Sequence, residues 1–278
     1  MNNNQLKRNS GKIAIYAVLV VGGIVMIFPF LWMILTSLKT MTEATRVPPT
    51  FFPSAPVWGN YPKAMQTLPF DKLFLNTVAM MGLRILFALG FSSMAGYAFA
   101  KIRFPGKNLL FGIVLVQLML PTQVFLLPQY AMVAKMGWLN TIWALVFPGI
   151  VSAFGVFFLR QFYMGLPDEL AEAAYLDGCN QWQIFAKIMF PLTKTAMMAL
   201  AIFTAIFAWS DLMWPLIVNM SIDKMTLAAG IASIKGQHFT NYPVVMAASF
   251  VAMLPMLLLY LLFQKQFVEG IALTGTKA

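Results

Sequence analysis

Four of the nine acidic residues in this 278-residue chain, Asp168, Glu169, Glu172 and Asp177, fall within ten consecutive positions. Acids this close together raise the question of acid–base or metal chemistry, but the usual companions are missing. His238 is the only histidine and Cys179 the only cysteine, so a histidine-based metal site lacks a second ligand and an intrachain disulfide lacks a second sulfur. Neither HExxH nor GxSxG occurs, which leaves a nucleophile–base constellation without support. There is also no GxxxxGK followed by Ser or Thr, so any nucleotide hydrolysis must come from another polypeptide.

Two further ionisable residues stand out because their surroundings are apolar. Asp211 lies between Trp209 and Trp214 in FAWSDLMWPLIV, just before Pro215. Aromatic faces beside a few hydrogen-bonding groups make a good surface for a sugar ring. Gln117, Gln123 and Asn219 are polar residues that could join such a path; the alternative for the tryptophans is simple packing or an interfacial belt. Arg84 also lies inside an apolar run, where a charge is costly and functional by default. It has three options: to snorkel, to pair with a carboxylate, or to face water. Structural placement is the favoured reading.

The elements that must position these groups are membrane helices. Mean hydropathy is +0.77 and charged residues make up 10% of the chain, against about 25% in an ordinary soluble domain. Six runs approach the roughly 20 apolar residues that cross a bilayer as helix: Ile13–Thr36, Asn76–Ala100, Asn108–Leu127, Thr141–Phe158, Thr195–Val218 and Val244–Phe263. The expected fold is an all-α membrane protein with a single six-helix domain over residues 13–263 and tails at 1–12 and 264–278. The first run is too long for a signal-peptide core and no small-residue cleavage site follows it, so it reads as an uncleaved span.

The net charge of +10 is explained by topology and anionic lipid, not by nucleic acid, because the basic residues sit beside the spans. Eleven Lys and Arg fall on the face holding both tails and the KIRFPGK loop, and seven fall on the opposite face, with Arg84 left inside a span. The bias puts both termini in the cytoplasm, together with the acid-rich segment. The proline-rich TRVPPTFFPSAPVWGNYP then lies on the outer side as extended surface chain.

Residues 159–194, between the fourth and fifth spans, divide by local signals. Pro167, Asp168 and Glu169 suit the first turn of a helix, and alanines at 171, 173 and 174 continue it. Gly178 is placed for a left-handed cap, and Asn180 with Gln183 forms a capping-box pattern for a second short helix. Trp182, Phe185, Ile188 and Met189 form the apolar stripe of that helix, and Pro191 is expected to end it.

Glu172-Ala173-Ala174, then Gly178, then Ile188-Met189-Phe190-Pro191 resembles the EAA-x3-G-x9-I-x-L-P loop of ABC importer permeases, with Phe190 in place of Leu. WGNY, LNT, FAWSDLMWPLIV, a Leu254-Pro255 break and FVEGIALTGTKA are similar to the maltose-type branch of sugar-importer permeases. Ser210-Asp211 and Glu269 depart slightly from that branch.

The resemblance implies a coupling loop in which Glu172, Ala173, Ala174, Asp177, Gly178, Ile188 and Pro191 dock on a cytoplasmic ATPase. It implies a homologous second permease, two ATP-binding subunits and an extracytoplasmic solute-binding protein as partners, in a bacterial or archaeal cytoplasmic membrane. No cofactor is expected in this chain, since ATP and Mg belong to the ATPase. The substrate class is a sugar, with an oligosaccharide expected and glycerol phosphate esters also within the branch. The tail Gly270–Ala278 is expected to reach the ATPase interface. An ion-coupled secondary transporter is the competing class, but it normally uses several intramembrane carboxylates and paired repeats; here Asp211 is the only acid inside a run.

Overall fold

The computed structural model describes residues 3–234 and 241–275, with side chains described at 12, 15–234 and 241–265. All regular elements within these residues are helical, as a chain without water partners for its backbone requires. They form two compact units. One takes the residues up to Leu68 together with Ile234–Met253; the other takes Pro69–Ser233 and the residues from Leu254 onward.

In the first unit, α1 (Asn3–Ser37) begins ten residues before the expected Ile13, so helix continues through residues assigned to a tail. Its stretch Ile15–Ser37 is apolar enough to cross a membrane, and most of its side chains from Ile15 to Leu31 are exposed. After the short α2 (Met41–Ala44) comes the proline-rich segment, and then α3 (Asn60–Thr67). This segment is not loosely extended but folds back on the end of α1. The Val57 amide donates to the Leu38 carbonyl at 2.8 Å, and Asn60 Nδ2 donates to the carbonyls of Ser37 (2.8 Å) and Lys39 (3.0 Å). Glu43 accepts from both the amide and the hydroxyl of Ser54, each at 2.7 Å. These bonds, the Ser54 hydroxyl first, hold the Glu43 carboxyl below the ordinary carboxylate range.

The second unit starts with α4 (Phe70–Lys101), six residues earlier than expected. The third apolar run, Asn108–Leu127, is not one helix. In its place α5 (Lys107–Met119) stops ahead of Pro121, and after a 3₁₀ turn at Thr122–Phe125, α6 (Leu126–Lys135) leaves at 107°. Pro121 forces Leu120 into extended backbone (φ −88°, ψ 138°), as the residue before a proline prefers. The fourth run is bent by 43° between α7 (Ile142–Val146), continued by a 3₁₀ turn through Gly149, and α8 (Ala153–Met164), whose first turn Ser152 caps.

Between them and the fifth run lie α9 (Glu169–Leu176), α10 (Gln181–Ile184), a π-helical turn at Phe185–Met189 and α11 (Phe190–Leu192). The fifth run is split into α12 (Lys194–Ser210) and α13 (Met213–Val218). The split falls four residues before Pro215, where the proline ring excludes the carbonyl of residue i−4. The described part of this unit continues with α14 (Leu227–Ser233). Last, α15 (Tyr242–Gly275), whose residues up to Met253 belong to the first unit, runs through Pro255 without the expected break, and its backbone departs from helical values at Phe263 instead (φ −110°, ψ 15°). Three of the described helices are long and apolar enough to cross a membrane, or up to six if each bent pair counts as one.

The pair α4 and α8 forms the centre of the second unit, and small residues let the two approach. A Cβ on Gly155 would lie 2.4 Å from Ser92 Oγ, and one on Gly96 would lie 3.1 Å from Leu159 Cβ, the close approach that small residues allow between membrane helices. The Ser93 and Tyr163 hydroxyls meet at 2.7 Å in the same seam.

Candidate functional site

The segment around Gly178 is built by local chemistry. Helix α9 ends in a left-handed residue, Gly178 (φ 84°). The Gly178 amide returns to the Tyr175 carbonyl, and the Cys179 amide to the Ala174 carbonyl, both at 3.0 Å; these are the two bonds of a Schellman cap. Two residues on, α10 opens with a full capping box. Asn180 Oδ1 accepts from the Gln183 amide at 2.8 Å and Gln183 Oε1 from the Asn180 amide at 2.9 Å. No flexible linker separates the two helices.

The second helix is anchored from below. Ile184, Phe185 and Met189 are buried with Tyr97 of α4, Leu159 and Tyr163 of α8 and Leu200 of α12, each large side chain contributing about 1.5–3 kcal/mol on burial. The expected stripe is therefore shifted: Ile184 lies inside while Trp182 is 63% exposed. The helix also continues past the expected stop at Pro191 and ends at Thr193, after which α12 sets off at 74°. The wider π turn just before Pro191 accommodates a ring that a regular α turn would clash with.

The first helix is tied at its start. Lys101 Nζ, at the end of α4, donates to the Leu166 carbonyl at 2.6 Å and to Asp168 Oδ1 at 2.5 Å. Asp168 is thus the N-cap residue by position, but its carboxylate binds Lys101 and makes no cap bond. The hydrogen bond from Lys101 and then its charge keep Asp168 below the ordinary carboxylate range. Sequence reasoning used Lys101 only as a topology charge of the KIRFPGK loop, and no local pattern pairs it with Asp168 or the Leu166 carbonyl.

Glu172 and Ala173 are exposed and Ala174 is buried. Ala171, Glu172, Tyr175, Leu176, Gln181 and Ile184 line an open hollow of about 600 Å³ between α9 and α10. Tyr175 and Leu176 are exposed at its edge, apolar residues that sequence reasoning passed over. Asp177 is also exposed and caps the C-terminal end of α9, where the helix dipole disfavours an anion. Ile188 is half-buried and Pro191 exposed.

The second group of candidates divides. Asp211 sits at the break between α12 and α13 and accepts from Arg84 Nη1 at 2.8 Å. The same guanidinium donates through Nε (3.0 Å) and Nη2 (2.5 Å) to the Leu145 carbonyl of α7. A Cβ on Gly149 would lie 2.6 Å from the Arg84 stem, so glycine leaves the space this side chain fills. Of the options open to Arg84, pairing with a carboxylate is the one observed. Trp214 is buried and its indole N–H donates to the Ala144 carbonyl at 2.7 Å. Trp209 is half-buried against the edge of Phe74. Asn219 is fully buried and donates to the Lys224 carbonyl at 2.6 Å. Gln117, on α5, and Gln123, in the following 3₁₀ turn, are exposed.

Among the described residues no three His, Cys, Asp or Glu side chains gather as metal ligands. His238 and Lys235 lie outside the described residues, as do the side chains of Lys7, Arg8 and Glu269 and residues 276–278.

A bundle of broken apolar helices carrying a capped two-helix segment between α8 and α12 defines a helical membrane transport component. The chain belongs to the family of binding-protein-dependent transport system inner membrane components, whose model matches residues 88–272. Among its relatives is the arabinooligosaccharides transport system permease protein AraQ of Halalkalibacterium halodurans, 36% identical over 90% of this chain and 91% of that one. The sn-glycerol-3-phosphate transport system permease protein UgpE of Pectobacterium atrosepticum is 33% identical over 92% and 94%. The lactose transport system permease protein LacG of Rhizobium radiobacter is 31% identical over 95% and 96%. A bacterial ABC transporter involved in import of the acidic polysaccharide alginate has the same fold, with TM-score 0.79 at 19% identity over 94% of this chain and 98% of that one.

Proposed function

We propose that this chain is the permease subunit of a binding-protein-dependent ABC importer for a sugar, with an oligosaccharide as the expected cargo. It would cross the cytoplasmic membrane six times, each bent helix pair counting as one span, with both termini in the cytoplasm. The permease domain would cover residues 13–263, with the coupling loop at 159–194 and tails at 1–12 and 264–278. ATP and Mg would act on two separate ATP-binding subunits. A second, homologous permease and an extracytoplasmic solute-binding protein would complete the assembly.

The observation that carries this reading is the segment from Leu166 to Thr193. Lys101 ties its start, and its second helix is sunk into the bundle through Ile184, Phe185 and Met189. Its hollow, with Glu172 on the wall and Tyr175 and Leu176 at the edge, is open to a partner. Such an element would pass on a push as a packed unit, since its second helix is seated against α4 and α8. In this reading Glu172 meets a basic residue of the ATPase, Ala173 and Gly178 keep the surface shallow, Ala174 seats the helix on the core beneath, and Asp177 adds a second anion. Ile188 and Pro191 fix the angle at which the segment leaves toward α12.

Relatives in this family are named for saccharides and for glycerol 3-phosphate. A phosphate ester needs an available cation on its route. Arg84, the cation inside the second apolar run, is already engaged by Asp211 and Leu145, which favours an uncharged sugar. Gln117, Gln123, Trp209 and Asp211 are proposed for the path surface, with Trp214 and Asn219 supporting it from behind.

The test is co-purification with an ATPase, followed by reconstitution in liposomes. Hydrolysis stimulated by the sugar-loaded solute-binding protein is expected. Uptake that depends on a sodium or proton gradient without ATP would overturn the assignment.

A further inference from the structure

The proline-rich segment after α2 carries a group of exposed apolar side chains on a backbone unusually poor in N–H donors. Val47 is 91% exposed, Phe51 57% and Phe52 73%. Pro48, Pro49 and Pro53 lie among them, each lacking an amide hydrogen. Phe51 does not point away from the membrane helix. Its ring packs edge-on to Trp32 at 5.5 Å and to Phe28 at 6.0 Å, both on α1.

Those contacts fix a level along α1. Ile15–Ser37 has 23 residues, about 34 Å at 1.5 Å per residue, close to the roughly 30 Å hydrocarbon core. Both ends of the stretch therefore lie near the two interfaces. Trp32 is about 7 Å and Phe28 about 13 Å below Ser37 on the same scale, so the turn holding Phe51 reaches down beside the helix and into the lipid layer.

Irregular backbone at such a depth needs its carbonyls satisfied, and the chain supplies a donor. A lysine at a helix end ordinarily turns its ammonium toward water. Lys39 does the reverse: it is 1% exposed, lies 4.7 Å over the Trp32 ring and donates to the Thr50 carbonyl. The inverted lysine closes the polar face of the turn, while the phenylalanines remain outward.

We infer that residues 47–53 form a wedge that inserts into the lipid leaflet at the C-terminal end of α1, held there by Lys39 and by Phe51 against Trp32 and Phe28. The inference rests on α1 being a membrane span, and its test separates the two.

In a Cys179→Ser background, Phe51→Cys, Phe52→Cys, Met26→Cys and Thr42→Cys are each labelled with bimane. They are studied in the assembled importer in phosphatidylcholine vesicles. Quenching by lipid carrying a nitroxide at a shallow or at a deep chain position is compared with quenching by aqueous iodide. Met26, 77% exposed in the middle of α1, reports the span, and Thr42 reports water. Quenching of Phe52→Cys and Phe51→Cys by lipid, several-fold above Thr42→Cys and with weak iodide quenching, is the expected result. Iodide quenching at both positions with Met26→Cys still quenched by lipid overturns the wedge and leaves the span intact. Protection from both quenchers overturns it in favour of a protein partner. Iodide access at Met26 overturns the span and the wedge together. Phe52→Cys keeps the Phe51 packing, so a loop disturbed by losing Phe51 cannot by itself decide the outcome.

Discussion

Arg84 and Asp211 meet at 2.8 Å across 127 residues of chain, at the residue where α12 ceases to be helical. The same guanidinium holds the Leu145 carbonyl, so one side chain of α4 braces the fourth run at α7 and the fifth run at its break. The bond has a testable energetic signature. Removing one member of a pair with side-chain exposures of 8% and 20% strands the other charge, which costs about 3–5 kcal/mol. Arg84→Met and Asp211→Leu should each lower the thermal unfolding midpoint of the detergent-purified complex. The Arg84→Met/Asp211→Leu double variant should recover part of the loss, and losses that simply add would show that the pair is not coupled.

Gly149 is predicted to act through Arg84. An added methyl would sit 2.6 Å from the arginine stem, and overpacking of this kind costs about 1–3 kcal/mol. Gly149→Ala should therefore reduce sugar uptake and stability on its own. In an Arg84→Ala background the same change should have almost no further effect. A full additional loss there would place its effect elsewhere.

Gly178 tests the loop through backbone alone. It adopts φ 84° and nothing lies within 4 Å of a Cβ placed on it, so Gly178→Ala meets no clash and suffers only the left-handed penalty of about 1–2 kcal/mol. Receptor-stimulated ATP hydrolysis should fall several-fold in Gly178→Ala and less in Gly178→Asn, since asparagine tolerates this conformation better. Equal activity in all three proteins would mean the cap plays no part in coupling.

Glu172 tests the partner surface. Glu172→Lys reverses an exposed charge on the wall of the hollow and breaks no side-chain bond among the described residues. The complex should still insert in the membrane, while co-purification of the ATPase drops at least tenfold. Undiminished co-purification and uptake would remove Glu172 from the interface.

Asp168 gives a pH dependence with a definite sign. Its carboxyl is lowered in the folded protein by Lys101, so the contribution is fully present above the unfolded value of about 3.9 and is lost as pH falls through the lower folded value. The stability difference between wild type and Asp168→Asn should stay constant from pH 8 to 5 and decline only as pH falls below the unfolded value. A difference that disappears near neutrality would exclude the Lys101 bond as its source.

What could be read from the residues alone followed the range of the interaction. The Gly178 cap and the Asn180–Gln183 box are set by neighbours within five positions, and both appear in the structure with the expected bonds. Helical class and most apolar runs were equally local. The helix breaks were harder, because a proline disturbs the carbonyl four residues upstream: Pro215 moved the break to Asp211, whereas Pro255 left α15 continuous. Pro191 was absorbed by a π turn that no composition signal announces. Arg84's partner was out of reach, since three outcomes were open and the deciding residue lay 127 positions away. The roles of Trp214 and Asn219 depended in the same way on carbonyls of other segments. Tyr175 and Leu176 look like ordinary helix residues until the fold leaves them uncovered.

The direct succession of Schellman cap and capping box, with only Cys179 between Gly178 and Asn180, also fixes how association should appear in calorimetry. A segment already folded before contact has little conformational entropy left to lose, so its ordering cost on docking is small. The heat-capacity change on binding an ATPase should then match the apolar area covered around Tyr175 and Leu176, with no excess from coupled folding.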